Sequence, residues 1–389
     1  MLDSKTGTTR PVTAPDPVEL TQRLIGFETV NPPGNERACA EFLANLLDRN
    51  GFKTDLVALA DDRCSVIATR QGRQAGLPLA FTGHLDVVPL GSAPWTHAPF
   101  AGAIVDDKLY GRGSSDMKSG IAAFICAALA EPEAIDAGTG LTLVLTAGEE
   151  TGCAGAIALV AAGRILPAGA LVVGEPTANV ICVGHKGALW LRGVTRGITA
   201  HGSMPQLGDN AIYKAARAID RLSAYAFTAE PHPALGRPTL NVGTITGGLN
   251  INSVPDRTEF GIDIRTIPGL DHAWLRDDLR RHGGPDLDLE TIIDLPGIWT
   301  EADQPWVRDV ARQVADISGL PERVAAATYF TDAAVLSPAM KGMPTLILGP
   351  GEPGQAHQTD EWCDTRRIHE AATIYRRIIR RWNDPATRT

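Results

Sequence analysis

The sequence predicts an α/β protein: a mostly parallel sheet with helices on both faces, interrupted by an inserted α+β sandwich. Three observations predict it. Up to about Val180, short apolar runs alternate with segments whose apolar residues recur at helical spacing, the pattern of a buried parallel sheet covered by helices. From there to about Pro296 the order becomes strand, helix, strand, strand, helix, strand, which suits a small sandwich inserted as one unit. Beyond Pro296-Gly297, a natural exit turn, the first texture returns. The expected organisation is a main domain over 1–181 and 297–389 around an insert at 182–296.

Taken in order, Asp16-Pro17 supplies an N-cap and a proline at the first helical position, predicting a helix through Phe27. Cys39, Phe42, Leu43, Leu46 and Leu47 follow at helical spacing and are stopped by Asn50-Gly51. LPLAFTG, LTLVLTA and GALVVGE read as buried strands, with helices over Met117 to Ala130 and around Ala156 to Ala162. In the insert, ICVGHKGALWLRGVTRG, PTLNVGTITGG, TEFGIDIRTI and LDLETIID read as strands. Helices are expected there from Asn210 to Tyr225 and from Asp271 to about His282. A helix near Trp306 to Gly319, the strand PTLILG and a last helix complete the main domain. That last helix has Ile368, Ala371, Ala372, Tyr375, Ile378, Ile379 and Trp382 on one face.

Composition removes several classes of function. The 389 residues carry 36 Lys and Arg against 45 Asp and Glu, a net charge of −9, which disfavours nucleic acid and anionic membranes as partners. The one dense basic stretch, Arg376 to Arg381, has helical period and reads as a solvated face. Six cysteines without a CxxC pair argue against a zinc ribbon or redox motif and are expected to be reduced. The first residues are polar with no apolar core, so no secretory leader is expected. The longest apolar run, Ile121 to Ala130, is too short to span a bilayer. These features lead us to expect a cytoplasmic protein.

The residues that carry chemistry cluster by pattern. His84 and Asp86 end an apolar strand in FTGHLDVVP, and residues two apart on a strand point to the same side. A metal-bound imidazole needs its other nitrogen held, and Asp86 could hold it. Asp116 sits in the Gly/Ser loop of LYGRGSSDMKSG, where an N-cap is the plainer reading. Glu149 and Glu150 follow LTLVLTAG as adjacent acids that repel unless a cation or a solvated rim offsets them. Glu175 ends LVVGE, and His357 lies in the Gly-rich loop GPGEPGQAHQTDE. All six fall at or just after predicted strand ends, the edge at which open α/β sheets bind ligands. Two histidines with several carboxylates suit zinc or a similar divalent ion, and a bridging carboxylate would allow a pair.

With these motifs in order, the chain resembles the metallopeptidase family of aminoacylase, acetylornithine deacetylase, succinyl-diaminopimelate desuccinylase and a carboxypeptidase. GHLDVVP, YGRGSSDMKSG, AGEETG, GEPT, HGSMP, NSVPD and GQAHQTDE carry the resemblance over nearly the whole chain. GEPT, HKG, PTLNVGTITGG, DIRTIPG and LILGPGEPGQAHQTDE are most similar to acetylornithine deacetylase. The resemblance implies two divalent ions, zinc or cobalt, with Asp116 bridging, His84 and Glu175 at one ion and Glu150 and His357 at the other. It makes Glu149 the general base and acid and Asp86 the holder of His84. It makes the insert a lid that also carries a homodimer contact, with His201 reaching the partner's site. Asn252 and Arg265 match positions that meet the substrate's polar and carboxylate groups, although Arg265 could instead pair with Asp263 on its own strand. Thr331-Asp332-Ala333 departs from the Thr-Glu-Ala of acetylornithine deacetylases. It leaves the acyl group and side chain open, and Asp332 is a candidate for contacting that side chain. The implied substrate is a small N-acylated amino acid. A peptide substrate and a non-catalytic binding protein of the same fold are the alternatives.

Overall fold

The computed structural model describes residues 14–387. The polar stretch through Thr13, on which the leader expectation rests, lies outside them. The chain forms two compact units. One runs to Val183 and resumes over Thr300–Ala325 and from Thr331, and the other comprises Gly184–Trp299 with Ala326–Phe330.

In chain order the elements are α1 (Pro17–Ile25), α2 (Arg37–Asp48), β1 (Lys53–Ala60), β2 (Arg63–Gln71), β3 (Leu79–His84), β4 (Ala103–Val105) and β5 (Lys108–Tyr110). There follow α3 (Ser119–Leu129), α4 (Pro132–Ala137), β6 (Gly140–Thr146), α5 (Ala154–Ala161), β7 (Ala170–Val173) and β8 (Ile181–His185). The second unit contributes β9 (Gly187–Arg196), α6 (Ala211–Ser223), β10 (Thr239–Gly247), β11 (Arg257–Thr266), α7 (His272–Gly283), β12 (Leu287–Leu295) and β13 (Ile298–Trp299). Last come α8 (Pro305–Ser318), β14 (Val324–Ala327), α9 (Ala333–Ala339), β15 (Thr345–Ile347), β16 (Trp362–Asp364) and α10 (Thr365–Asn383).

The first unit is a mixed α/β layer structure. β6, β3, β7 and β15 are neighbours and run parallel. They are buried throughout, as strands covered on both faces must be. The sheet continues antiparallel at each side, through β2 and β1 on one and β8 on the other. The β1–β2 pair was not apparent as strands in the sequence. Its outer member alternates exposed and half-buried residues instead of forming an apolar run. Helices cover the sheet in two sets, α3 packing against α1 and α10, and α2 and α5 against β1 and β2. α3 is buried on every side, while α10 presents the predicted face, with Ile368, Tyr375, Ile378 and Ile379 at 1% exposure or less. Its arginines are paired outward: Arg376 and Arg380 with Glu131, Arg377 with Asp316, and Arg381 with Asp309.

N-caps confirm how the sequence sets helix starts. Asp16 accepts from Val18 N and Glu19 N at 2.9 and 3.1 Å, Asn210 from Tyr213 N and Asp271 from Ala273 N and Trp274 N; each satisfies donors that a helix end leaves orphaned.

The second unit is the expected strand-helix-strand-strand-helix-strand sandwich. Its sheet is antiparallel in the order β10-β11-β9-β12. Leu189, Leu191, Phe260, Ile262 and Ile264 point from it onto Ala215, Ala218, Leu222, Leu275 and Leu279 of α6 and α7. Elsewhere on this unit Ile245, Leu249 and Ile251 are exposed. Among the described residues no helix is long and apolar enough to cross a membrane.

Candidate metal centre

The parallel strands deliver most of the candidate ligands directly. His84 is the last residue of β3, and Glu175 follows β7 by two residues. β6 ends at Thr146 and passes through Ala147-Gly148 to Glu149 and Glu150. The loop after β15 carries His357, and Asp116 lies in an irregular turn, Ser114–Lys118, ahead of α3. Parallel strands put all their C-terminal ends on one edge, so separate loops converge there.

The convergence is close. His84 Nε2 lies 3.1 Å from Asp116 Oδ1 and 3.7 Å from Glu175 Oε1. His357 Nε2 lies 3.5 Å from Asp116 Oδ2 and 3.2 Å from Glu150 Oε2. The two oxygens of Asp116 thus face two different histidines, the disposition of a carboxylate shared between two positions. Ligand atoms of His84, Asp116 and Glu150 all lie within 4.8 Å of one another, as do those of His84, Glu149 and Glu175. The second grouping brings Glu149 as near to His84 as a ligand would be.

The electrostatics show what this arrangement lacks. Asp86, Asp116, Glu149, Glu175 and Asp332 are all at 9% exposure or less. Among the described residues no Lys or Arg pairs with Asp116, Glu149, Glu150 or Glu175. Burial, and then Asp116, pushes the Glu150 carboxyl up to about 7. Burial likewise raises Glu149 and Glu175 well above the carboxylate range. Burial opposes the charge on His84, but hydrogen bonds to Asp116 and Asp86 hold it well above its ordinary value. Asp116 and Glu150 push His357 up to about 10. Burial works against the Asp116 charge and the two histidines outweigh it, holding Asp116 below the usual range. Protons here compensate a negative surplus that a divalent cation compensates better. The buried Glu150 Oε1 has no hydrogen-bond partner, as a ligand oxygen would not. This imidazole and carboxylate set fits zinc and related divalent ions.

The ligand candidates are held by groups behind them. The Asp86 carboxylate accepts from Glu149 N and Glu150 N at 3.1 and 3.2 Å and from Asn31 Nδ2 at 2.8 Å. Its backbone carbonyl, at 3.0 Å, is nearer to His84 Nδ1 than its carboxylate, at 3.6 Å. Asp86 therefore holds the Glu149-Glu150 loop as much as His84. Asp332 is 2% exposed and accepts a hydrogen bond from the Thr146 hydroxyl, immediately before that loop. The Cys153 thiol, just after the loop, faces the same carboxylate. Its surroundings support a role behind the loop more than a direct reach for a substrate side chain. Glycines complete the packing: a Cβ on Gly120 of α3 would lie 2.0 Å from the Gly174 carbonyl oxygen, and one on Gly349 2.2 Å from the same atom.

Sequence reading missed Asn31, Arg112 and Glu361. Arg112 and Glu361 are buried at 1% and 0% exposure, and a charged pair that far inside is rare. The YGRG and QTDE motifs contain them, but nothing local says that they meet across the fold.

His201, Asn252 and Arg265 belong to the second unit. There, His201 pairs across a bridge with Ser253, and Gly202 N donates to Asn252 O at 2.7 Å, so two of the three are neighbours. His201 is exposed, its Nδ1 2.7 Å from Ser203 Oγ. Arg265 Nε is 3.0 Å from Asp263 Oδ1, and its guanidinium carbon lies 5.9 and 5.8 Å from the Trp190 and Phe330 ring centres.

The peptidase family M20/M25/M40 model matches residues 80–381. The chain is 28% identical to a Staphylococcus epidermidis protein described as a probable succinyl-diaminopimelate desuccinylase, over 94% of this chain and 97% of that one. It is 32% identical to acetylornithine deacetylase of Proteus mirabilis, over 93% and 95%. Its fold is similar to that of an M20 family metallo-carboxypeptidase from Sulfolobus solfataricus, with TM-score 0.78, 17% identity, and coverage of 95% of this chain and 99% of that one. With the family model spanning most of the chain and the ligand candidates gathered at one sheet edge, the protein belongs to peptidase family M20/M25/M40 and is a hydrolase of that family.

Proposed function

We propose that the protein is a two-metal amidohydrolase that removes an acyl group from the nitrogen of an amino acid, as its acetylornithine deacetylase relative is named for doing. The observation that carries this reading is Asp116, whose two oxygens face His84 and His357 separately. His84 and Glu175 would hold one ion, Glu150 and His357 the other, with Asp116 shared. Zinc suits the set, and cobalt has similar preferences. When bound, such ions polarise the amide carbonyl and lower the pKa of water.

The remaining work falls to side chains. Glu149, buried among the ligand candidates, takes a proton from water and hands it to the leaving nitrogen. Arg265 offers a guanidinium to the amino acid's carboxylate while Asp263 and the two aromatic rings steady it. His201 donates to the developing oxyanion and Asn252 to the substrate's polar groups. The exposed Ile245, Leu249 and Ile251 support a homodimer in which His201 serves the partner's site. Mixing Glu149→Ala and His201→Ala chains by refolding then restores roughly a quarter of wild-type activity, whereas action within one chain leaves the mixture inactive. Six buried, unpaired cysteines support a reducing cytoplasmic setting.

The deciding experiment loads the protein with zinc or cobalt and compares turnover of N-acetylornithine, N-succinyl-diaminopimelate, other N-acetyl amino acids and dipeptides. Faster hydrolysis of acylated amino acids is expected. Preference for dipeptides replaces this reading with a peptidase, and no turnover of any member by a protein that retains no metal after loading leaves a binding protein.

A further inference from the structure

We propose that the buried Arg112–Glu361 pair is a positioning device that acts chiefly on one of the two metal positions, that of Glu150 and His357, while the sheet places His84 and Glu175 of the other. The inference rests on the two-metal reading above.

The argument begins with Glu361, whose side chain is fully buried. Its Oε1 accepts from Ser115 N at 2.8 Å and Asp116 N at 3.0 Å, and its Oε2 from Gly113 N at 3.0 Å and Arg112 Nη1 at 2.7 Å. One carboxylate thus gathers the backbone of the whole turn that presents Asp116. Glu361 is also four residues beyond His357, on the same loop. Arg112 closes the connection from the other side: Nη1 donates to Gln358 O and Nη2 to Pro89 O, each at 3.1 Å. Ser115 Oγ adds a bond to Trp362 O at 2.7 Å and accepts from Glu352 N at 3.0 Å. The separation of Asp116 from His357 is therefore fixed by this pair and its neighbours. The β5–β16 pairing joins Lys108–Tyr110 to Trp362–Asp364, and Gly111 N donates to Glu361 O at 2.9 Å, but neither strand extends to Asp116 or His357.

His84 and Glu175 are placed differently. His84 is in register with Thr146 of β6, Leu85 N donates to Thr146 O at 2.7 Å, and Gly174 N donates to Thr82 O at 3.0 Å. Both ligands thus hang from the hydrogen-bond ladder of the parallel sheet, which does not include Arg112 or Glu361. Damage to the pair should move Asp116 Oδ2 and His357 apart while His84 and Glu175 stay in register.

The test compares Glu361→Gln and Arg112→Lys with wild type. Glutamine turns an amide donor toward Gly113 N or toward Asp116 N. Lysine keeps the charge beside Glu361 but loses the fork that reaches Gln358 and Pro89, and it covers the case in which Glu361→Gln does not fold. Zinc is titrated into the metal-free proteins in competition with a chromophoric chelator, and thermal unfolding of the same samples is followed. Arg70→Lys, in the Arg70–Asp136 pair away from the ligands, serves as a control. Wild type should take two ions. The variants should hold one ion about tenfold to a hundredfold more weakly, the usual scale for groups that orient ligands, and lose clearly less at the other, where Asp116 is shared but His84 and Glu175 stay on the sheet. Two ions at wild-type affinity in both variants, or equal loss of both ions, overturns the proposal. A wild type that takes fewer than two ions overturns the two-metal reading, and this proposal with it.

Discussion

The strand ends of the first unit and the polar pairs of the second treat charge in opposite ways. In the second, several polar groups pair within the unit: His272 sits between Asp294 at 2.6 Å and Thr266 at 2.8 Å, Tyr225 donates to Asp278 at 2.7 Å, and Arg265 pairs with Asp263. In the first, the strand ends assemble carboxylates with two histidines and leave a surplus of negative charge. Unpaired buried charge is costly, so a fold keeps it only where something brought from outside repays it. The internally paired region is explained by its own contacts; the surplus region is explained by what it receives.

Breaking the surplus region at Glu149 should give the largest effect. Glu149→Ala should lower kcat by about 10²–10⁴-fold, the span typical of a general base, with two ions still bound by elemental analysis. Loss of an ion would exchange the roles of Glu149 and Glu150, which the proximity of Glu149 to His84 and Glu175 makes a real contest.

Arg265→Ala probes the paired region. If the guanidinium also reads the substrate's carboxylate, KM should rise roughly tenfold to a hundredfold, the value of a charged hydrogen bond. An amide-capped analogue should be affected far less. Equal loss for the two substrates would reduce Arg265 to a partner for Asp263.

The contrast also predicts a pH dependence in the metal-free protein. Glu150 is raised to about 7, so between its unfolded value of about 4.5 and 7 the unfolded chain has released a proton that the folded one keeps. Stability should therefore fall as pH rises from 5 to 7. His357, raised to about 10, acts in the same direction: its contribution is complete below about 6.5 and is lost as pH rises through 10. Urea midpoints in chelator at pH 5, 6 and 7 should decline, and saturating zinc should reverse the trend because metal competes with protons. Rising midpoints without metal would argue against the carboxylate surplus.

The smallest change is expected at Asp332. Asp332→Asn keeps an acceptor for Thr146, so kcat should fall only a few-fold, as for a single neutral hydrogen bond. A role behind the Glu149 loop predicts equal loss for cationic and neutral acyl amino acids. A narrowed preference for cationic substrates would instead return Asp332 to the substrate pocket.

What was legible in the sequence follows from how local each signal is. Strands such as Leu79–His84 and Gly140–Thr146 are buried on both faces, so each is an apolar run that ends visibly in an acid or a histidine. The ligand candidates were found because strand ends collect them without knowledge of which strands are neighbours. The half-exposed β1 hid its nature in an alternating pattern. The three-residue strands β4, β5 and β16 are too short for any periodicity. Arg112 and Glu361 are 249 residues apart, and only the folded chain reveals that one needs the other. The sequence offers Asp86 as the holder of His84, whereas its carboxylate partners Glu149 N and Glu150 N come from a neighbouring strand end and carry no sequence signature.

The glycines beneath Glu175 carry a different consequence. Gly120 and Gly349 both press on the carbonyl of Gly174, leaving no room for even a methyl group at either position. Any mutational drift at these sites must displace the backbone one residue before a ligand candidate. A Gly120→Ala chain could thus keep every donor atom and still lose its hold on a cation, because the spacing that counts there is set by empty volume. Inheritance of this centre is therefore inheritance of absences as well as of side chains, and an inventory of ligands alone would score such a chain as intact.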